Sequence, residues 1–192
     1  MTRIAIIQGH PTSGGGHFCH ALAEAYAEGA FAGGHQVRFI PVAELDFPLL
    51  RSKADWDVAP PPGIIAEAQQ TMAWAEHLVI IYPLWLGGMP ALLKGFLEQA
   101  LRPAFMTGGA GSSWKAALKG RSSRIVITMG MPAFAYRWYF RAHSLKSLKR
   151  SILSLVGIGS NRHTLIGMIE GMSDAKRSAW IEAMRRIGKR AR

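Results

Sequence analysis

Two stretches, His77-Leu-Val-Ile-Ile-Tyr-Pro83 and Arg124-Ile-Val-Ile-Thr-Met-Gly130, are apolar without alternation. A strand with one wet face alternates apolar and polar residues. An unbroken β-branched run suits a strand covered by helices on both faces of a parallel sheet. Arg3–Gly9 has the same character, Gln36–Pro41 is a second-strand candidate, and Arg162–Ile166 is a weaker fifth. Helical patterns lie between and after them at Phe18–Ala32, Ile64–Glu76, Pro90–Leu101, Ser144–Val156 and Ser173–Gly188. Pro90 is read as a first-turn residue, where a missing N–H costs nothing. Ser173 reads as a helix cap, with Trp180, Ile181, Met184 and Ile187 on one face of the last helix. Strands alternating with helices predict a doubly wound α/β fold of five parallel strands with helices on both faces, as a single domain over residues 1–192. Right-handed crossovers bring the C-terminal ends of the strands, and any ligand crevice, to one edge.

Composition bounds the function. Hydrophobic residues make up 49% of the 192 positions, enough for a sizeable core, and no apolar run reaches the length of a membrane-spanning helix. Arg3–His10 is too short for a secretory signal and runs into a turn. The lone cysteine, Cys19, excludes an intrachain disulfide and a multi-cysteine zinc site. A cytoplasmic protein is the expectation. The net charge of +11 is unevenly placed: the first hundred residues carry nine acidic and five basic side chains, the remainder three and eighteen. Such basicity suits an anionic partner as well as a solvated surface.

Three turns that follow strands carry the chemistry. His10-Pro-Thr-Ser-Gly-Gly-Gly-His-Phe-Cys19 offers glycines and helix-opening amides to an anion, although it is neither a P-loop nor a spaced dinucleotide turn. Tyr82–Phe96 sets Trp85 and Leu86 in a loop. Their side chains suit the walls of a flat aromatic ligand, with main-chain N–H groups of Leu84–Gly87 reaching its polar edge, or alternatively a plug or a dimer contact. Thr128–His143 combines a glycine turn, the aromatic cluster Trp138-Tyr-Phe140, and two proton-handling groups, Tyr136 and His143. Two further irregular stretches, Leu49–Gly63 and the glycine-rich Met106–Ser113, read as a surface connection and an insertion.

Together these turns resemble the flavodoxin-like NAD(P)H dehydrogenase (quinone) family of quinone reductases and modulator-of-drug-activity proteins. The most specific match is the Pro-Leu-x-x-x-x-x-Pro-Ala-x-x-Lys-Gly frame from Pro83 towards Phe96, with His10-Pro and Thr128-x-Gly in the expected order. The resemblance implies a flavodoxin-like fold and a flavoprotein, with FAD or alternatively FMN. It implies that His10, Thr12, His17, Phe18 and Cys19 line the flavin's phosphate and ribityl chain. Pro83, Leu84, Trp85 and Leu86 then embrace its rings, and Thr128, Met129, Gly130 and Tyr136 lie at the pyrimidine end. It further implies a ping-pong cycle from NAD(P)H to a quinone-like acceptor, with Tyr136 and His143 assisting proton delivery, in a homodimer. The chain departs from that family at His17-Phe-Cys19, which replaces Ser-Phe-Asn, at Leu86, which replaces an aromatic, and at His143, which stands one place late. Two other readings stay open: a flavin-binding electron carrier or regulatory module, and a nucleic-acid or anionic-membrane binder using the basic second half.

Overall fold

The computed structural model describes residues 1–57, 60–106 and 117–191. Five strands, β1 (Arg3–Gln8), β2 (Gln36–Pro41), β3 (His77–Pro83), β4 (Ser122–Thr128) and β5 (Ser160–Ile166), form one parallel sheet in the order β2-β1-β3-β4-β5. The register sets Ile80 of β3 beside Ile7 of β1 and Ile125 of β4. Alternate residues leave the sheet on opposite faces. Ala5, Ile7, Leu78, Ile80, Ile125 and Ile127 enter one buried cluster. Ile4, Ile6, Val79, Ile81 and Val126 enter another. Both faces are dry, which is why these strands carry no polar alternation.

The second cluster is roofed by α1 (Phe18–Ala32) and α8 (Asp174–Lys189). The two helices meet through glycine. A Cβ on Gly29 would lie 2.0 Å from the Arg185 carbonyl, and one on Gly188 would lie 2.0 Å from that of Tyr26. The first cluster is covered by α3 (Gly63–Trp74) and α4 (Ala91–Ala100).

Several local expectations are revised. Leu49–Gly63 is not wholly irregular, because Lys53–Asp57 forms a short helix, α2. Arg102 fastens this connection to α4: its guanidinium donates to the Asp55 carbonyl at 2.9 Å, the Pro60 carbonyl at 3.4 Å and Gln99 Oε1 at 2.7 Å. Pro90 stands at the cap of α4 with extended ψ of 144°, one place before the helix, because its neighbour Met89 sits in the loop. Met106 closes a short helix, α5 (Pro103–Met106), while residues 107–113 of the expected insertion lie outside the described residues. The segment after β4 holds α6 (Ala133–Trp138) and α7 (His143–Lys146). The single helix expected over Ser144–Val156 instead widens into π-helical turns across Ser147–Leu153. Ser173 does cap α8, but without a side-chain hydrogen bond.

Candidate functional site

The C-terminal ends of β1, β3 and β4 are tied to one another by main-chain and side-chain bonds. The Gly9 amide, just past β1, donates to the Ile81 carbonyl at 2.8 Å, and the Leu84 amide, just past β3, donates to the Thr128 carbonyl at 2.7 Å. Thr128 Oγ1 lies 3.2 Å from Cys19 Sγ, which joins the end of β4 to the first turn of α1. The His10 ring stands 6.4 Å from that of Trp85, edge to face. The three turns singled out in the sequence therefore meet at one end of the sheet.

Turn one is crowded with imidazoles. His10 and His17 are stacked with centroids 4.0 Å apart, and His20 is 5.2 Å from His10 and 5.6 Å from His17. The Thr12 amide donates to His10 Nδ1 at 3.2 Å, so the neutral ring carries its proton on Nε2 as a free donor. Burial and the neighbouring His17 lower the pKa of both His10 and His20. The approach from Thr12 to His17 is exposed, and nothing lies within 4 Å of a Cβ placed on Gly14, Gly15 or Gly16. Gly14 and Gly16 have φ of 88° and 101°, a left-handed backbone open only to glycine at low cost. Cys19 is buried, and burial pushes its thiol up to about 11 against the opposing Thr128 bond. It is a packed thiol, not a thiolate nucleophile. Phe18 is half-buried, with the Arg177 guanidinium 5.6 Å over its ring.

Turn two is a tight reversal. Trp85 and Gly88 exchange two main-chain hydrogen bonds, 3.0 and 2.8 Å, around Leu86 and Gly87, whose φ values are both positive at 46° and 75°. That is the pattern of a type I′ turn, and a leucine within it is strained. The turn holds Leu86 entirely in solvent and leaves Trp85 half exposed, beside the buried Pro83. Not all of the amides expected along the ligand edge are available. Leu84 and Trp85 spend theirs within the protein, whereas among the described residues nothing accepts from Leu86 or Gly87.

Turn three brings Thr128 and Met129, both buried, to the crevice floor and exposes Gly130. Glu170, which sequence reasoning did not single out, places its carboxylate against Gly130. A Cβ there would lie 3.1 Å from Glu170 Oε1. Tyr136 does not line an open surface. Its ring is 1% exposed, and its hydroxyl accepts the Leu145 amide at 3.1 Å. Burial raises its pKa, with hydrogen bonds from Leu145 and Ser144 opposing. Ser144 Oγ in turn lies 3.0 Å from Tyr82 Oη, so the tyrosine, α7 and the end of β3 form one network. His143 opens α7 in solvent, after Arg141 and Ala142, both left-handed with φ of 52° and 49°. His20 is the second residue the sequence reading missed. Its signal was weak: His20 follows His17 by three residues, but His17 precedes the helix as its extended N-cap.

The residues present suit a flavin. Exposed apolar walls at Trp85 and Leu86 match a flat ring system, two unpaired amides match its polar edge, and an open glycine cradle beside imidazole donors matches a phosphate. Beside that cradle one buried polar atom, His20 Nδ1, has no hydrogen-bond partner among the described residues. Among the described residues no group of His, Cys, Asp or Glu side chains is arranged to hold a metal ion, and no helix is long and apolar enough to cross a membrane.

Comparisons with known proteins agree with this fold. A family model described as a flavodoxin-like fold matches residues 2–190. An uncharacterized NAD(P)H oxidoreductase of Haemophilus influenzae is 29% identical over 182 residues, covering 92% of this chain and 89% of its own. The NAD(P)H:quinone oxidoreductase of Methanothermobacter marburgensis superposes with a TM-score of 0.80 at 20% identity, over 98% of this chain and 96% of that one. An FMN-dependent NADH-azoreductase of Bacillus anthracis, solved in complex with FMN, gives 0.76 at 16% identity over 99% of both chains. At those identities the two structures show a shared fold.

Proposed function

Because the chain belongs to the flavodoxin-like fold family, we propose that it is a flavin-dependent NAD(P)H oxidoreductase whose acceptor is a quinone or a similar flat molecule. The observation that carries this reading is the convergence of three turns on Thr128, through the 2.7 Å bond from Leu84 and the 3.2 Å contact with Cys19, with His10 and Trp85 facing each other alongside. Support for the donor comes from the Haemophilus influenzae relative, named for NAD(P)H. Of the two flavins the sequence left open, we assign FMN, the one bound by the Bacillus anthracis azoreductase.

A bound flavin would supply two-electron redox chemistry between NAD(P)H and the acceptor, in the ping-pong order that the family resemblance implies. The protein binds and orients. His10, Thr12, His17, Phe18 and Cys19 frame the phosphate and ribityl end. Pro83, Leu84, Trp85 and Leu86 form the wall, and the Leu86 and Gly87 amides offer donors to the ring edge. Thr128, Met129 and Gly130 form the floor, where the Glu170 carboxylate disfavours additional negative charge. Tyr136 acts by holding α7 through Leu145, and His143, exposed at the start of that helix, is the residue we assign to proton delivery. The basic second half offers charge to nucleotide phosphates.

Trp138 and Tyr139, 77% and 82% exposed, with Phe140 beside them, form an exposed aromatic patch, and we assign it to a homodimer contact. The compartment we assign is the cytoplasm. Purified protein carrying FMN, identified by mass, that oxidises NAD(P)H with a soluble quinone and gives parallel double-reciprocal lines is the expected result. Protein that binds no flavin, or binds it without NAD(P)H oxidation, contradicts the reading.

A further inference from the structure

The imidazole cluster at the first turn is larger than a flavin cradle requires, and its third member lies outside the turn. We propose that His10, His17 and His20 together form a phosphate-monoester site whose affinity is coupled to proton uptake, with His20 a binding residue in its own right. The proposal rests on the flavin reading for the identity of the ligand, but not for the existence of the site.

Three observations support it. The first is proximity: three ring centroids lie within 5.6 Å of one another, and the His10–His17 pair is stacked at 4.0 Å. Rings so close resist being charged together while the site holds no anion. The second is the unpartnered Nδ1 of His20, a side chain only 6% exposed. A buried nitrogen without a partner costs free energy until a donor or acceptor reaches it. The third is space. His17 and His20, with Gly15 and Gly16, line an open cavity of about 480 Å³ between the glycine approach and α8.

From α1, Glu24 acts on His20, as does Glu44 from the turn after β2, and both raise its pKa without overcoming burial and His17. From α8, Arg177, Glu182 and Arg185 line the same cavity. Arg185 is paired with Glu28 and Glu182, and Arg177 donates to the Met172 and Ile169 carbonyls. On the crevice side the neighbour of His10 is the uncharged Trp85. With both arginines engaged in bonds of their own, the imidazoles are the groups at this corner that an arriving anion meets. An arriving dianion offsets their mutual repulsion and favours their protonated forms, so anion binding takes up protons. By linkage, lower pH then tightens binding.

The test measures FMN and riboflavin binding by quenching of flavin fluorescence between pH 8.5 and 7, above the second ionisation of the phosphate itself. The expected result is FMN binding tighter at pH 7 by about threefold to tenfold, the effect of about one-third to two-thirds of a proton taken up over that range. Riboflavin, which lacks the phosphate, shows a flat profile. His17→Gln and His20→Gln each flatten the FMN profile, and the exposed position of His17 guards against a folding defect at the buried His20. Imidazole proton resonances, followed with inorganic phosphate as the probe, move to higher pKa for the same three residues. A flat FMN profile in the unmodified protein, with imidazole titrations indifferent to phosphate, overturns the proposal and leaves the flavin reading standing. Failure of both flavins to bind, while phosphate still shifts the three imidazoles, sinks the flavin reading and sustains the site.

Discussion

Leu86 shows how a single residue can trade stability against binding. Its φ of 46° places a branched side chain in the left-handed region, at the first central position of a turn whose preferred residues are Asn-Gly. Leu86→Asn is expected to stabilise the fold by about 1 kcal/mol by relieving that conformation, while weakening FMN binding through loss of an apolar wall. Thermal melts and a flavin titration on the same preparation check both signs. Tyr136 makes a separate case. Tyr136→Phe leaves the Leu145 amide unpaired and costs about 1–3 kcal/mol of stability. If the tyrosine works by positioning, turnover falls while the pH profile of kcat keeps its shape; a lost ionisation in that profile assigns it direct proton transfer instead. The sequence singled out Tyr136 as a proton-handling group, and the family resemblance implied its place near the flavin, but its burial was not legible. An aromatic-rich stretch reads alike whether its rings face a crevice or a core, and only the packing of α6 under α7 decides. His20 was only weakly legible from its spacing to His17, and a lone buried histidine on a helix is ordinarily a core residue.

At the scale of elements, the strongest constraint is the α1–α8 contact. Gly29→Ala puts a methyl into the Arg185 carbonyl, where neither backbone can yield cheaply, and overpacking of this kind costs about 3 kcal/mol. That outweighs the roughly 1 kcal/mol that alanine contributes to an exposed helix position. Urea denaturation is expected to show a lower midpoint, and an unchanged midpoint contradicts the close approach. Arg102 gives a second element-level prediction. Arg102→Ala frees the connection that carries α2, so amide exchange at Lys53–Asp57 accelerates while that of β3 does not. Here too the sequence was informative in proportion to local regularity. The β-branched runs of β3 and β4 announced buried strands because little else buries such residues. The short α2, the π-helical turns at Ser147–Leu153 and the offset of Pro90 depend on tertiary contacts that no local period encodes.

For the whole molecule, the parallel sheet brings its strand ends together and buries a set of histidines. His77, at the start of β3, is buried and shares a hydrogen bond between Nδ1 and Ser122 Oγ at 2.7 Å, while among the described residues its Nε2 has no partner. Burial, reinforced by Arg124 and Arg162, drops its pKa to about 4. The unfolded chain, with an ordinary imidazole, binds the proton first as pH falls. Stability from this group is therefore complete above about pH 6.5 and is lost down towards pH 4, by about 3 kcal/mol. His163, also lowered by burial, adds in the same direction. Urea midpoints at pH 7.5 and 5 are expected to show the loss, and His77→Gln to reduce it. The same topology gathers residues from positions 10 to 170 around one crevice, and the account stands or falls on what that crevice holds. Anaerobic mixing of FMN-loaded protein with NADPH tests this most directly. The account predicts that the visible flavin band bleaches and returns on addition of a soluble quinone. Protein that retains no FMN, or FMN that stays oxidised in excess NADPH and NADH alike, would contradict it.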